Sequence, residues 1–193
     1  MDKENTLILV GDSPFLGSVQ GKLQQVLKLY PSMGINATIV KHKTDFHVFQ
    51  DYRMARIANR FPEIKSVTST KSKGLVTKEN CEYVDSYPFS FDRNTYEDII
   101  KDGKLAWCNF THDYAVSWAV YKGYKRVVLI GAADFIPGPH YTLGGDFRYS
   151  GPLHRESIKY LSEVCPHKIE VLTCNPKSSL KVPRIPIDDL LID

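Results

Sequence analysis

Two stretches of the chain are almost unbroken in apolar residues, Thr6–Val10 and Val127–Ala133. Neither alternates polar and apolar positions as a half-exposed strand would, so both read as strands buried on both faces of a parallel sheet. The first ends in Gly11-Asp12-Ser13-Pro14, a turn signal. Val19, Leu23, Val26, Leu27 and Tyr30 then recur at helical spacing until Pro31 closes the segment, which completes the opening of a βαβ unit. Gly34–Val40 and Phe46–Phe49 read as strands, Tyr52–Phe61 as helix, and Lys65–Asn80, rich in Ser, Thr, Gly and Lys, as a solvated loop. Tyr83–Phe91 carries Pro88 and reads as irregular chain or an edge strand. Asp113–Lys122 has helical period through Ala115, Trp118 and Ala119, with Gly123 placed to end it. Arg126–Ile130 is the clearest strand. Pro137–Pro152, full of Gly, Pro and Tyr, reads as a lid loop, His154–Val164 as helix, Lys168–Cys174 as a last strand, and Pro176–Pro186 as a surface tail.

Alternating strands and helices of this kind predict an α/β, Rossmann-like fold, a mostly parallel sheet flanked by helices, with a Gly/Pro/Tyr-rich lid. A length of 193 residues suits a single Rossmann-like domain spanning 1–193, with 137–152 as its lid loop. Ligands of such sheets bind beyond the carboxyl ends of the strands, which singles out Gly11–Pro14, Asn36, Gln50-Asp51, Thr111-His112 and Asp134–Tyr141 as one expected site.

Charge changes the picture little. A formal +3 favours anionic ligands but falls short of a dedicated nucleic-acid binder. Residues 1–80 hold 12 Lys/Arg against 7 Asp/Glu, whereas residues 81–193 hold 13 against 15. No apolar run approaches a membrane span, and the five-residue run near the N-terminus is too short for a signal-peptide core, so a soluble, cytoplasmic protein is expected. Cys81, Cys108, Cys165 and Cys174 show no CxxC spacing and read as reduced, structural thiols.

The chemistry-bearing candidates are few. Gly11-Asp-Ser-Pro14 lets backbone approach a ligand beside helix N-terminal amides, with Asp12 and Ser13 as polar contacts, but it is neither GxGxxG nor a P-loop and is equally a plain strand-to-helix turn. Six histidines fall at spacings that match no compact ligand set, so no metal is expected. No G-x-S-x-G elbow supports a serine hydrolase. His154, between the lid and a helix, is either a surface residue near the helix start or a general base. Tyr141 and Tyr149 in the lid are either packing residues or donors to an anionic leaving group.

Taken in order, the apolar strand with Gly11-Asp-Ser-Pro14, Asn36, Thr111, Gly123-Tyr-Lys125, Gly131 with Asp134-Phe135, Tyr141, His154 and Asn175-Pro176 resemble the small bacterial sialyltransferases. More loosely the chain is similar to Rossmann-like proteins with a Gly-Asn-Gly-Pro-Ser opening, which include an archaeal-type pterin pyrophosphokinase. The resemblance implies a metal-independent glycosyltransferase that needs no cofactor and takes a CMP-sugar donor. By position, Gly11, Asp12 and Ser13 would meet phosphate and ribose, Asn36 the nucleotide, and Thr111 the sugar carboxylate. Tyr141, with Tyr149, would hydrogen-bond the leaving phosphate, and His154 would deprotonate an acceptor hydroxyl. Asp51, His112 and Asp134 complete the expected substrate-binding set. Two positions depart from the family pattern: Asp12 stands where it has Asn, and His112 where it has a small residue. An origin in a mobile element or virus, a nucleic acid as acceptor and a homo-oligomeric assembly stay open. So do two other readings, a Mg²⁺-dependent diphosphotransferase using Asp12, Asp51 and Asp134, and a non-catalytic nucleotide- or sugar-binding module.

Overall fold

The computed structural model describes residues 1–86, 100–101, 104–105, 110–135, 138–139, 146–147 and 152–192. Seven strands form one sheet: β1 (Thr6–Val10), β2 (Ser32–Ile35), β3 (Phe46–Val48), β4 (Lys65–Thr68), β5 (Cys81–Tyr83), β6 (Arg126–Ile130) and β7 (Glu170–Thr173). Their order is β7-β6-β1-β2-β3-β4-β5, and every pairing is parallel. This is the α/β, Rossmann-like architecture that the apolar runs predict. Among the described residues four α-helices accompany it: α1 (Leu16–Val26), α2 (Ala55–Ala58), α3 (Thr111–Tyr121) and α4 (Pro152–Lys159).

The absence of alternation in β1 and β6 follows from where they sit. Leu7, Leu9, Val127 and Leu129 face a core shared with Tyr114, Trp118, Tyr160 and Leu161 of the α3–α4 side. Ile8, Val10, Val128 and Ile130 face Leu16, Val19, Leu23 and Val26 of α1, closed off by Ile187 and Leu190. Leu7, Ile8, Leu9 and Val10 are each wholly buried, worth about 1.5–3 kcal/mol apiece. One change to a charge anywhere in β1 would put an unpaired ion into one of the two layers.

Several boundaries differ from those the sequence predicts. After β2 the chain does not stay extended to Val40; Asn36–Val40 is a 3-10 turn. Asn36 takes φ +53°, a left-handed value that Asn tolerates better than most residues, and Thr38 turns its hydroxyl back onto the Gly11 carbonyl at 2.9 Å. Lys65–Thr68 is a strand with two parallel neighbours rather than solvated loop. Its buried side chains include Ser66 and Thr68, whose hydroxyls meet His47 Nδ1 (3.4 Å) and Ser72 Oγ (3.3 Å), so polar residues fill an interior position. The expected helix at 52–61 is only a 3-10 turn plus the single turn α2. Cys81–Tyr83 is the edge strand, and residues 87–91 lie outside the described residues.

α3 runs where its period places it and ends at Lys122, with Gly123 next at φ +84°. α4 begins at Pro152, so His154 sits in its first turn rather than before it. The helix then widens into a π turn at Tyr160–Val164 and tightens at Cys165–His167 beside Pro166. The tail after Pro176 folds back along β7, with Ile185 N–H donating to Thr173 O at 3.0 Å, and buries Leu180 and Val182. Of the expected lid, the described part is a ribbon pairing Gly138–Pro139 with Asp146–Phe147. Among the described cysteines Cys81, Cys165 and Cys174 are free thiols, and burial raises the Cys174 thiol to about 12. No helix among the described residues is long and apolar enough to cross a membrane.

Candidate functional site

From β1 the sheet grows through β2–β5 on one side and through β6 and β7 on the other. The chain therefore leaves the carboxyl ends of β1 and β6 in different directions, which opens a crevice at that switch point. A cavity of about 460 Å³ lies there. Gly11, Asp12, Ser13, Asn36, Asp51, Thr111, His112 and Asp134 all line it. Ile35, Ala37, Arg53, Met54, Phe110 and Gly131–Ala133 complete the wall.

The floor is two crossing backbones. Gly11 N–H donates to Ile130 O (3.1 Å) and Ser13 N–H to Gly131 O (3.0 Å). A Cβ on Gly11 would lie 2.2 Å from Gly131 O and 2.4 Å from Ala132 Cα, so only glycine permits the crossing. Beyond it Gly131, Ala133 and Phe135 have φ of +65°, +54° and +51°. Three left-handed residues within five make this a tightly curled segment. Ala133 and Phe135 hold that conformation against a cost of about 1–2 kcal/mol each.

Asp134 lies between those two residues and is buried. It accepts a short hydrogen bond from the Ser13 hydroxyl, which ties the β6 loop to the β1 turn. Burial raises its pKa above the usual carboxylate range, against the opposing pull of Ser13 and Asn175. Asp51 behaves oppositely. It caps the 3-10 turn at Tyr52–Met54 by accepting from Arg53 N–H at 2.9 Å, and the Arg53 guanidinium beside it holds its carboxyl low. Asn36 is fixed at both ends: its carbonyl accepts from His47 Nε2 (2.7 Å) and its amide oxygen from the Thr111 hydroxyl (3.3 Å). His47 is wholly buried, which pushes its pKa down to about 4 and keeps the ring neutral.

α3 presents its N-terminus to the cavity through Phe110, Thr111 and His112. Asp113, buried in its first turn, accepts from Phe110 N–H at 3.2 Å. Its other oxygen accepts from Ser157 of α4 at 2.5 Å. The ring of Phe110 stacks on His112 (centroids 5.3 Å) and on His154 (4.9 Å), while Phe135 meets His112 edge-on at 5.1 Å. His154 is not itself part of the cavity wall; Phe110 is. Burial, with His154 nearby, pushes the pKa of His112 down to about 3.

Nothing in the sequence singles out Arg53 or Phe110. An exposed arginine after a strand and an aromatic before a helix are common, and only the fold brings them to the crevice. Gln50, expected beside Asp51, is not on the wall. Tyr141 and Tyr149 lie outside the described residues. Asp12, Asp51 and Asp134 share the cavity, but among the described residues no group of three His, Cys, Asp or Glu is placed to hold a metal ion. A second cavity of about 400 Å³ opens at the other end of the sheet, around Phe46, Lys65, Trp118, Lys122 and Tyr124. There Lys65 and Lys122 both pair with Glu82, at 3.1 Å and 2.7 Å.

No family model matches the chain, and no curated protein matches it in sequence. Among solved structures it is similar to the MAf glycosyltransferase from Magnetospirillum magneticum AMB-1, with a TM-score of 0.68 at 11% sequence identity. The match covers 97% of this chain and 35% of that one, so the chain spans about a third of the length of the protein it matches. At that identity the likeness is one of fold.

Proposed function

We propose that the chain is a metal-independent glycosyltransferase that takes a nucleotide-activated sugar in the crevice between β1 and β6, with a CMP-sugar as the donor and sialyl transfer as the reaction. The observation that carries this reading is the convergence of the Gly11–Ser13 turn, Asn36, the N-terminus of α3 and the Gly131–Phe135 loop on one cavity. Backbone amides at a helix start favour a phosphate without needing a cation. Arg53, paired with Asp51, stands in the same wall and offers a guanidinium to an anionic ligand. The fold likeness to a glycosyltransferase adds to it.

In this reading Gly11, Asp12, Ser13, Asn36 and Asp51 hold the nucleotide, and Thr111, His112 and Asp134 the sugar. Tyr141 and Tyr149 hydrogen-bond the departing phosphate as its charge develops. His154 takes the proton of the acceptor hydroxyl as that oxygen attacks the anomeric carbon and the bond to phosphate breaks. Its stack on Phe110 supports the role by holding the imidazole at the edge of the cavity. The acceptor is a hydroxyl-bearing molecule that reaches the anomeric carbon from that edge.

The test is to incubate the protein with cytidine-, uridine-, guanosine- and adenosine-activated sugars, in EDTA and in Mg²⁺, and separate the freed nucleotides. Release of CMP in EDTA that is lost in His154→Ala is the expected result. Release of another nucleotide only with Mg²⁺ would replace this reading with phosphate chemistry on the three aspartates. No release from any donor, with donor still bound, would make the chain a binding module.

A further inference from the structure

Among the described residues His112 is the one imidazole on the cavity wall, and its surroundings dictate where its proton sits. Asp113 Oδ2 accepts from Phe110 N–H, and its Oδ1 accepts from the Ser157 hydroxyl at 2.5 Å. A serine hydroxyl has one hydrogen to give. With that hydrogen committed to Asp113, Ser157 Oγ can only accept from His112 Nε2, 3.1 Å away. Asp113 Oδ1 itself lies 3.5 Å from the same nitrogen and also favours a proton there. Nε2 is therefore the protonated nitrogen. A neutral imidazole then carries a lone pair on Nδ1, which has no hydrogen-bond partner among the described residues. The side chain is 14% exposed, and the rings of Phe110 and Phe135 fix its plane.

We infer that Asp113 and Ser157 hold His112 as the tautomer protonated at Nε2, so that its Nδ1 accepts a hydrogen bond from a hydroxyl or amide N–H of the sugar in the cavity. His112 is then a specificity residue, and Asp113 and Ser157 position it. An imidazole free to flip would offer a donor as readily as an acceptor. The fixed one rejects a sugar that presents an anionic or acceptor oxygen at this point, because two lone pairs would face each other in a partly desolvated wall. Among the described residues two groups that titrate face the ring, Asp113 from its own helix and His154 from α4. The inference rests on the cavity being the donor site.

Two measurements test it. In protein labelled with ¹⁵N-histidine, the His112 signals, assigned by their absence from His112→Phe, should show Nδ1 unprotonated from pH 5 to pH 8. In Asp113→Asn the amide would donate to Ser157, whose hydroxyl would turn to His112 Nε2 and drive the proton to Nδ1. The second measurement is titration with CMP–sialic acid and with CMP alone. His112→Phe keeps the stacked ring and Asp113→Asn keeps the shape, yet both should weaken CMP–sialic acid about tenfold while leaving CMP unchanged. His112→Asn, whose amide oxygen stands near the place of Nδ1, should recover most of the loss. A proton found on Nδ1 in the unmodified protein overturns the inference. So does equal binding of the sugar nucleotide by His112→Phe, or an equal loss for CMP and CMP–sialic acid. If the unmodified protein binds neither compound, the donor reading falls and takes the ligand half of this inference with it. The nitrogen signals still decide the tautomer on their own.

Discussion

Phe110 and His154 stack nearly face to face, with ring centroids 4.9 Å apart and planes 11° from parallel. The stack brings a residue of α4 to the start of α3 and sets the imidazole beside the cavity rather than in its wall. Two substitutions separate packing from chemistry. His154→Phe preserves an aromatic face on Phe110, and His154→Ala removes it. Both should lower turnover of a sugar nucleotide by about 10²–10⁴-fold, the scale of a positioned base. Only His154→Ala should also lower the melting temperature. Near-normal turnover in His154→Phe would remove His154 from the proton transfer.

Ser13 and Asp134 tie the β1 turn to the loop after β6 through their side chains. Ser13→Ala leaves the buried Asp134 carboxyl without that donor, so the protein should lose about 1–3 kcal/mol in urea unfolding. Asp134→Asn removes the buried charge that burial disfavours. The double variant should therefore be more stable than the two single losses added together. Strict additivity would mean that the two side chains are not coupled.

Gly11→Ala places a methyl 2.2 Å from Gly131 O, a contact that backbone on both sides would have to relieve. We expect a loss of about 3 kcal/mol or more, together with loss of nucleotide binding. Ala133→Gly works in the other direction. At φ +54° an alanine is strained and a glycine is not, so this substitution should stabilise the fold by up to about 1 kcal/mol. A destabilised Ala133→Gly protein would show that the methyl's contacts outweigh its backbone strain.

Acid should weaken the fold through two histidines. His47 and His112 are held neutral, with pKa values near 4 and near 3, against 6.5 for a free imidazole. As pH falls below 6.5, the unfolded chain takes up these protons and the native state does not, so stability declines. Between pH 6.5 and pH 5 each ring accounts for about 2 kcal/mol. Urea midpoints measured at pH 7.5, 6 and 5 should fall steadily. A flat profile would mean that both rings are protonated inside the folded protein.

The strands that the sequence makes legible are those whose burial is written in apolar residues. β1 and β6 stand out because both faces of each are covered; α3 stands where the spacing of Ala115, Trp118 and Ala119 predicts a helix, although every residue from Asp113 to Ala119 is buried. β4 is hidden because Ser66 and Thr68 occupy interior positions that hydroxyl partners make tolerable. The short turn at Asn36 is hidden for a related reason, since its partner is the Gly11 carbonyl, which lies far off in the chain. The crevice itself is legible from topology, because strand ends converge in a parallel sheet whatever residues they carry. How a side chain stands within it is another matter. His154 stands beside the wall, stacked on Phe110, because of the way α4 packs on α3, and no local pattern encodes that packing. The bond from Ser157 to Asp113 joins residues 44 apart in the chain and is equally invisible.

Ser13 and Asp134 are 121 residues apart. On a ribosome adding about 5–20 residues per second, roughly 6–24 s separate their synthesis. For most of that interval β1 has only β2 to pair with, which leaves its other side a bare edge of amides and carbonyls on a wholly buried apolar strand. The late arrival of β6 closes that edge and creates the crevice in the same event. A nascent chain released before residue 126 would hold no binding site and would be prone to join another copy of itself along β1.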